Sequence, residues 1–274
     1  MAAYTNPKVH MGTLTGGEGT ELYKTNPIVL LPMGSHEDQG PHAPMGDYLL
    51  AEKIAELAAL RATERGVRTV TAPVIPFGAD DYFGPKAGGI MLSQSTMVSL
   101  LFDMFESLGR HGLNRIIIIN GHGGNVAPIA QVTRELYRDA RQLVPSLYLW
   151  RIGYSLMPKI VGAEKSALVS GHGADPLSSI GMHLFPELMR PDMTPEAKPL
   201  KREPVLDLPF FSLGSANFEG AEVGVPHEYD EVYWQGVGKG DPRLCSRETG
   251  AALTEQLTEI CARFIKHYSE KVEA

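Results

Sequence analysis

Between Arg115 and Asn125 the chain reads RIIIINGHGGN, and its four consecutive isoleucines constrain the fold more than any other stretch. β-Branched side chains on both faces of an extended segment must be buried on both faces, as in a central strand of a parallel sheet covered by helices. Three more short apolar runs read the same way: PIVLLPMG from Pro27, TVTAPVIPFG from Thr69 and SLYLWRIG from Ser146. Each is brief and closed by glycine or proline. Helical spacing fills the intervals Tyr48 to Arg65, Ser93 to His111 and Val126 to Leu143. Strand alternating with helix predicts an α/β protein with right-handed crossovers and a mainly parallel sheet.

That topology locates function, because ligands of open parallel sheets collect beyond the carboxyl ends of the strands. Three polar clusters follow three of the predicted strands: GSHEDQGPH, FGADDYFG and NGHGGN. With 274 residues, 43% of them apolar, the chain is expected to form one domain over 1–274. The segment from Pro191 to Pro242 reads as loop with short strands, an edge hairpin or a subunit contact. A final helix is expected in the segment that begins at Gly240.

Composition removes several function classes. A net charge of −7 with no basic run excludes a phosphate-binding footprint for nucleic acid and points to a small-molecule substrate. Cys245 and Cys261, placed in the C-terminal helical segment, suggest neither a disulfide framework nor a cysteine zinc site, which fits a reducing cytoplasm. No secretory signal is readable at the start, and the apolar runs are too short to span a bilayer.

The chemistry-bearing residues lie in those clusters. After the isoleucines the chain breaks at Asn120 and Gly121 to present His122, with Gly123 and Gly124 allowing close backbone approach. A competing reading makes the same glycines an anion cradle, although the Lys and Ser/Thr of a P-loop are missing. The stretch GSHEDQGPHAPMGD supplies His36, Glu37, Asp38, Gln39, His42 and Asp47 as donors, in a loop that would ordinarily be solvated. Divalent ions such as Mn²⁺ and Zn²⁺ take imidazole nitrogen and carboxylate oxygen, and a catalytic site needs about three protein ligands and an open position. His172, between glycines in VSGHGADPLSS, could transfer protons ahead of a helix expected from Asp175. His10, His111, His183, His227 and His267 have no such setting.

These residues resemble the creatininase (creatinine amidohydrolase) family. The resemblance rests on Gly34-Ser35, Glu37, Gly40-Pro41-His42, Pro44 and Asp47, then Asn120 to Asn125, and a Gly-Asp-Pro segment at Gly240. It implies a three-layer αβα sandwich, a homo-oligomer of hexameric type, and hydrolysis of a cyclic or small amide with one or two divalent metals. By position it implies Glu37, Asp47 and His122 as ligands of a first Mn²⁺ or Zn²⁺, with Fe²⁺ as a further option, and His172 as the proton-transfer residue.

Departures from the pattern bear on the metal count. Gln39 stands where the family has a histidine for a second metal. Gly124 and Leu177 replace carboxylates, and KAGGIML from Lys86 alters the substrate wall. His36 and Asp38 cannot simply substitute, since alternate side chains at a strand end face opposite ways. One metal per subunit is therefore expected rather than two. Gln39, His42, Asp81, Gly123 and Asp175 are further contacts to substrate or a second site.

The expected reaction is attack of a metal-bound hydroxide on the carbonyl of a small activated ring, a lactone or related cyclic ester or amide. The rivals are a dinuclear cyclic amide or formamide hydrolase, a non-catalytic metabolite- or phosphate-binding protein, and a scaffold that has lost activity.

Overall fold

The computed structural model describes residues 7–79, 82–83, 86–196, 205–212, 214–227, 237–238 and 240–272. In chain order the elements are α1 (Gly16–Tyr23), β1 (Ile28–Met33), α2 (Asp47–Glu64), β2 (Thr69–Thr71), β3 (Gly78–Ala79), β4 (Met91–Leu92), α3 (Gln94–Gly109), β5 (Ile116–Asn120), α4 (Val126–Ala140), β6 (Ser146–Tyr148), α5 (Leu149–Val161), α6 (Ala163–Val169), α7 (Leu177–Leu184), β7 (Phe210–Ser212), β8 (Ser215–Phe218), β9 (Ala221–Gly224) and α8 (Arg247–Lys271).

The isoleucine run is β5, buried throughout, and it pairs in parallel with β1 and β6 in a sheet ordered β2-β1-β5-β6. Alternation along the strands decides the layers. Ile28, Leu30, Ile117 and Ile119 pack with Ile54 of α2 and Leu257 of α8 on one face. Val29, Leu31, Ile116 and Ile118 pack with Leu101 of α3 and Ile129 of α4 on the other. Each such side chain contributes roughly 1.5–3 kcal/mol by leaving water. The αβα sandwich expected from the sequence is the fold observed.

The chain leaves β1 through α2 to β2 on one side of the sheet, and β5 through α4 to β6 on the other. Strand order therefore reverses between β1 and β5, and a crevice opens at their carboxyl ends. Alanines at 51, 55, 58, 59 and 62 let α2 lie close under the sheet. Its first residue, Asp47, is thereby held at that crevice.

Four local expectations are corrected. Only Ser146–Tyr148 of the fourth run is extended; from Leu149 the chain turns helical and buries Trp150, Gly153 and Met157 at helical spacing. The Thr69 run is broken after Thr71, where Pro73 and Pro76 interrupt the ladder, leaving one bridge at Ile75 and the short β3. α7 begins at Leu177 rather than Asp175. Cys245 precedes α8 and is not in it, and both cysteines are free.

The segment expected to be loop with short strands carries the antiparallel sheet β7-β8-β9. Among the described residues no helix is long and apolar enough to cross a membrane.

Candidate active site

Glu37, Asp47 and His122 converge at the crevice, each offering a ligand atom within 4.8 Å of the others. Each is reached differently. β1 ends at Met33, and Gly34 lets the chain pass over α2, since a Cβ there would strike Asp47 and Tyr48. The next amide, Ser35 N, donates to Asp47 Oδ1 at 2.6 Å and fixes that carboxylate at the first turn of α2, where the helix dipole favours negative charge. His122 follows β5 directly.

The His122 ring is oriented by what surrounds it. Nε2 lies 3.1 Å from Ala79 O and donates to it, while Nδ1 lies 3.3 Å from both Glu37 Oε1 and Asp47 Oδ2. Asn125 holds the far side: Oδ1 accepts from Ala79 N at 2.8 Å and Nδ2 donates to Gly34 O at 3.1 Å. Asn120 brackets the His122 backbone, accepting from its N at 3.0 Å and donating to its O at 2.8 Å. Gly78 leaves room for the ring, since a Cβ would come within 2.7 Å of His122 Cδ2.

Such a cluster calls for a cation. Glu37 and Asp47 are each 2% exposed and His122 5%. Burial raises Asp47 to about 7, with Glu37 adding to the rise, against His122 and the Ser35 amide. Burial alone would pull His122 down, but Glu37 and Asp47 outweigh it and hold the ring well above its ordinary value. Glu37 Oε2 is buried with no hydrogen-bond partner among the described residues. Two carboxylates, an imidazole nitrogen aimed between them and an unsatisfied oxygen fit a divalent ion that replaces the proton on Nδ1.

The remaining candidates divide. Gln39 belongs to the cluster, donating from Nε2 to Glu37 Oε1 at 3.0 Å. Beside it a pocket of about 20 Å³ is lined by Gln39, Asp47, Leu177 and Met189, room for about one water. His42 is buried, its Nε2 3.1 Å from Ser178 Oγ, which donates onward to Gly173 O. Burial depresses it. Gly123 lies at the mouth, where a Cβ would meet Tyr148 Oη at 3.2 Å.

His172 Nε2 donates to Asp38 O at 2.6 Å and its ring stacks on Phe83, centroids 4.1 Å apart. Burial lowers it, while the charge of Glu37 opposes that fall. Asp175 has a different position: Oδ1 accepts from Ser179 N inside α7, and Cys245 lies against the carboxyl. Asp81 lies outside the described residues. As expected from strand alternation, His36 and Asp38 are not in the cluster: His36 meets the Tyr48 ring and Asp38 Oδ1 accepts from Gly40 N.

Several residues that shape the site carry no role in the sequence reading. Asn120 and Asn125 flank His122 in NGHGGN, and their placement was the available signal. Ala79, Ser35 and Phe83 act through backbone or ring surface and gave none. Trp150 Nε1 donates to Gly121 O and anchors the turn before His122.

Comparison with known proteins places this geometry in context. Residues 13–265 match the family model described as creatinine amidohydrolase, or creatininase. The mycofactocin precursor peptide peptidase of Mycobacterium ulcerans (strain Agy99) is 28% identical over 187 residues, covering 66% of this chain and 68% of that protein. The 3-dehydro-scyllo-inosose hydrolase of Thermotoga maritima is 26% identical over 199 residues, covering 70% of this chain and 61% of that protein. A crystal structure of creatinine amidohydrolase (creatininase) superposes with a TM-score of 0.76 at 19% identity, covering 95% of this chain and 98% of that one. With the family pattern matched across most of its length and its fold shared, this chain belongs to the creatininase family.

Proposed function

We propose that this hydrolase opens a small activated ring, a lactone or related cyclic ester or amide, with one divalent ion per subunit held by Glu37, Asp47 and His122. The observation that carries the reading is His122: with Nε2–H committed to Ala79 O, its Nδ1 faces two buried carboxylates. A bound Mn²⁺, Zn²⁺ or Fe²⁺ would lower the pKa of a coordinated water toward neutrality and polarise a ring carbonyl.

The protein's own part is positional and protic. Glu37 and Asp47 fix the reacting centre, and the Asn125–Ala79 link keeps the imidazole turned toward it. Burial lowers His172, favouring the neutral ring, which would take up a proton before giving one. With Nε2 held by Asp38 O, Nδ1 is the atom through which that proton would pass to the departing oxygen or nitrogen.

The preference for one ion and an activated ring rests on the neighbours of Asp47. Gln39 is a neutral amide that already donates to Glu37, and Leu177 and Met189 make the adjoining space apolar. An amide nitrogen must be protonated to leave, whereas the oxygen of an activated ester leaves readily. The second reading is a cyclic amide or formamide hydrolase with two metals; the peptidase among the relatives supports only its amide chemistry. The proposal includes a single domain, a cytoplasmic setting and a homo-oligomer, which sedimentation would measure.

The test is metal content and a substrate panel. Protein reconstituted with each ion is expected to hold close to one equivalent per chain and to open lactones faster than cyclic imides, lactams or N-formyl compounds. Two tightly held equivalents, or lactams hydrolysed as fast as any lactone, would overturn it.

A further inference from the structure

A second concavity adjoins the site, a groove of about 810 Å³ between α4 and the corner of β6 and α5. It begins at Asn120 and Tyr148, and the face of α4 that lines it runs from Val126 to Tyr137, about 16 Å at the rise of a helix. Ile129, Val144 and Ile152 make its wall apolar. Its charged lining residues are Arg134 and Arg151.

What sets these two arginines apart is their place in the groove lining, together with the absence of a carboxylate partner among the described residues. Arg61, Arg65, Arg138, Arg190 and Arg243 each meet a carboxylate within 2.8 Å. Arg134 and Arg151 form no ion pair among the described residues. The Arg151 guanidinium lies 5.6 Å from the Tyr148 ring centroid, and at the far end Arg141 lies 5.5 Å from the Tyr137 ring centroid. In a chain of net charge −7, an apolar groove edged by unpaired guanidinium groups is complementary to an organic anion.

Tyr148 joins the groove to the ligand cluster. Its hydroxyl stands 3.2 Å from where a Cβ on Gly123 would be, one residue after His122. Burial raises Tyr148 above its ordinary value, with Tyr154, Asp47 and Glu37 adding to the rise and Arg151 opposing it.

We infer that the groove is a subsite for a carboxylate-bearing apolar arm of the substrate, with the acidic head held by Arg134 and Arg151 and the arm lying along α4. This rests on the proposed hydrolase reading for its purpose. Its binding chemistry does not involve the metal ligands, so it is tested separately.

Calorimetric titration of the full-length protein with 5-phenylpentanoate and its neutral amide, with metal present and after chelation, makes that test. The acid is expected to bind about tenfold or more tightly than the amide in both states, and Arg134→Gln and Arg151→Gln each to weaken it about tenfold. Because both side chains are exposed, the variants keep the fold. If the protein supplied with metal neither retained the ion nor hydrolysed any member of the panel while acid binding stayed intact, the hydrolase reading would be overturned and the subsite left standing. Equal affinity for acid and amide, or for wild type and the double variant, overturns the subsite. So does displacement of the acid by inorganic phosphate as strongly as by a second carboxylate, which would assign the head group to phosphate. Dissociation of an oligomer by the double variant would give the groove to a subunit contact and also overturn it.

Discussion

Asp47 and Asp175 are both buried carboxyls raised above the ordinary range by loss of water, and each stands at or just before the start of a helix. Their surroundings separate them. Asp47 faces Glu37 and the Nδ1 of His122, with a single amide from Ser35 on its other oxygen. Asp175 Oδ1 accepts from Ser179 N and the Cys245 thiol lies against the carboxyl; its Oδ2 has no hydrogen-bond partner among the described residues, but no trio of ligand atoms gathers around it there. Burial and a displaced pKa are thus properties the two share, and convergence of other ligand atoms is what marks out Asp47 as part of a candidate metal site.

The comparison is broken or upheld most strongly at His122. His122→Ala and Glu37→Gln are each expected to remove the bound metal and to lower hydrolysis on the order of a thousandfold. Metal content by elemental analysis and turnover on the best lactone of the panel would check this. Retention of a full equivalent by His122→Ala would place the ion elsewhere.

pH sharpens the same contrast in the metal-free protein. Asp47 has a folded-state pKa near 7 against 3.8 for an ordinary aspartate, so between those values the native state holds more protons than the unfolded chain. Stability then falls as pH rises through that window. His122, raised well above 6.5, acts in the same direction: its contribution is complete below the unfolded value and is lost as pH climbs through the folded one. Metal binding competes with these protons and must tighten with rising pH. Thermal unfolding from pH 5 to 8 should show a falling midpoint without metal and a flatter one with it. A metal-free midpoint that rises with pH over this range would contradict the protonation assigned to the cluster.

Asn125 gives a smaller effect. It touches no ligand atom, yet it holds Ala79, whose carbonyl orients the His122 ring. Asn125→Ala is expected to weaken metal affinity about 10–100-fold, the usual cost of losing a group that orients a ligand. A competitive chelator titration measures it.

How far the sequence disclosed this arrangement follows from the range of the interactions involved. Ile116 to Ile119 were readable because burial on both faces leaves an uninterrupted apolar run. The clustering of Glu37, Asp47 and His122 was readable through the family pattern, since spacing alone left Glu37 among many donors. Leu149 and Trp150 were misread in the fourth run because a short apolar stretch fits a strand and a buried helix equally well. The acceptor that orients His122 was hidden altogether. It is a backbone carbonyl, Ala79 O, brought there by a segment 43 residues away, and no side-chain pattern encodes it.

Asp175 provides the smallest effect and the sharpest separation. Asn keeps an oxygen able to accept from Ser179 N and carries no charge into the interior, so Asp175→Asn is expected to cost less than about 1 kcal/mol. Ala removes the acceptor and is expected to cost about 1–3 kcal/mol, the range for leaving a buried donor unsatisfied. Because the folded-state pKa of Asp175 is raised, its ionisation opposes folding as pH increases, and the Asn variant should recover relative to wild type toward alkaline pH. Urea unfolding at two pH values measures both effects, while metal content stays at the wild-type level. Asp47→Asn should do the opposite, losing the ion at every pH. If Asp175→Asn lost metal as readily as Asp47→Asn, the two carboxyls would belong to one centre and the distinction drawn from their partners would fail.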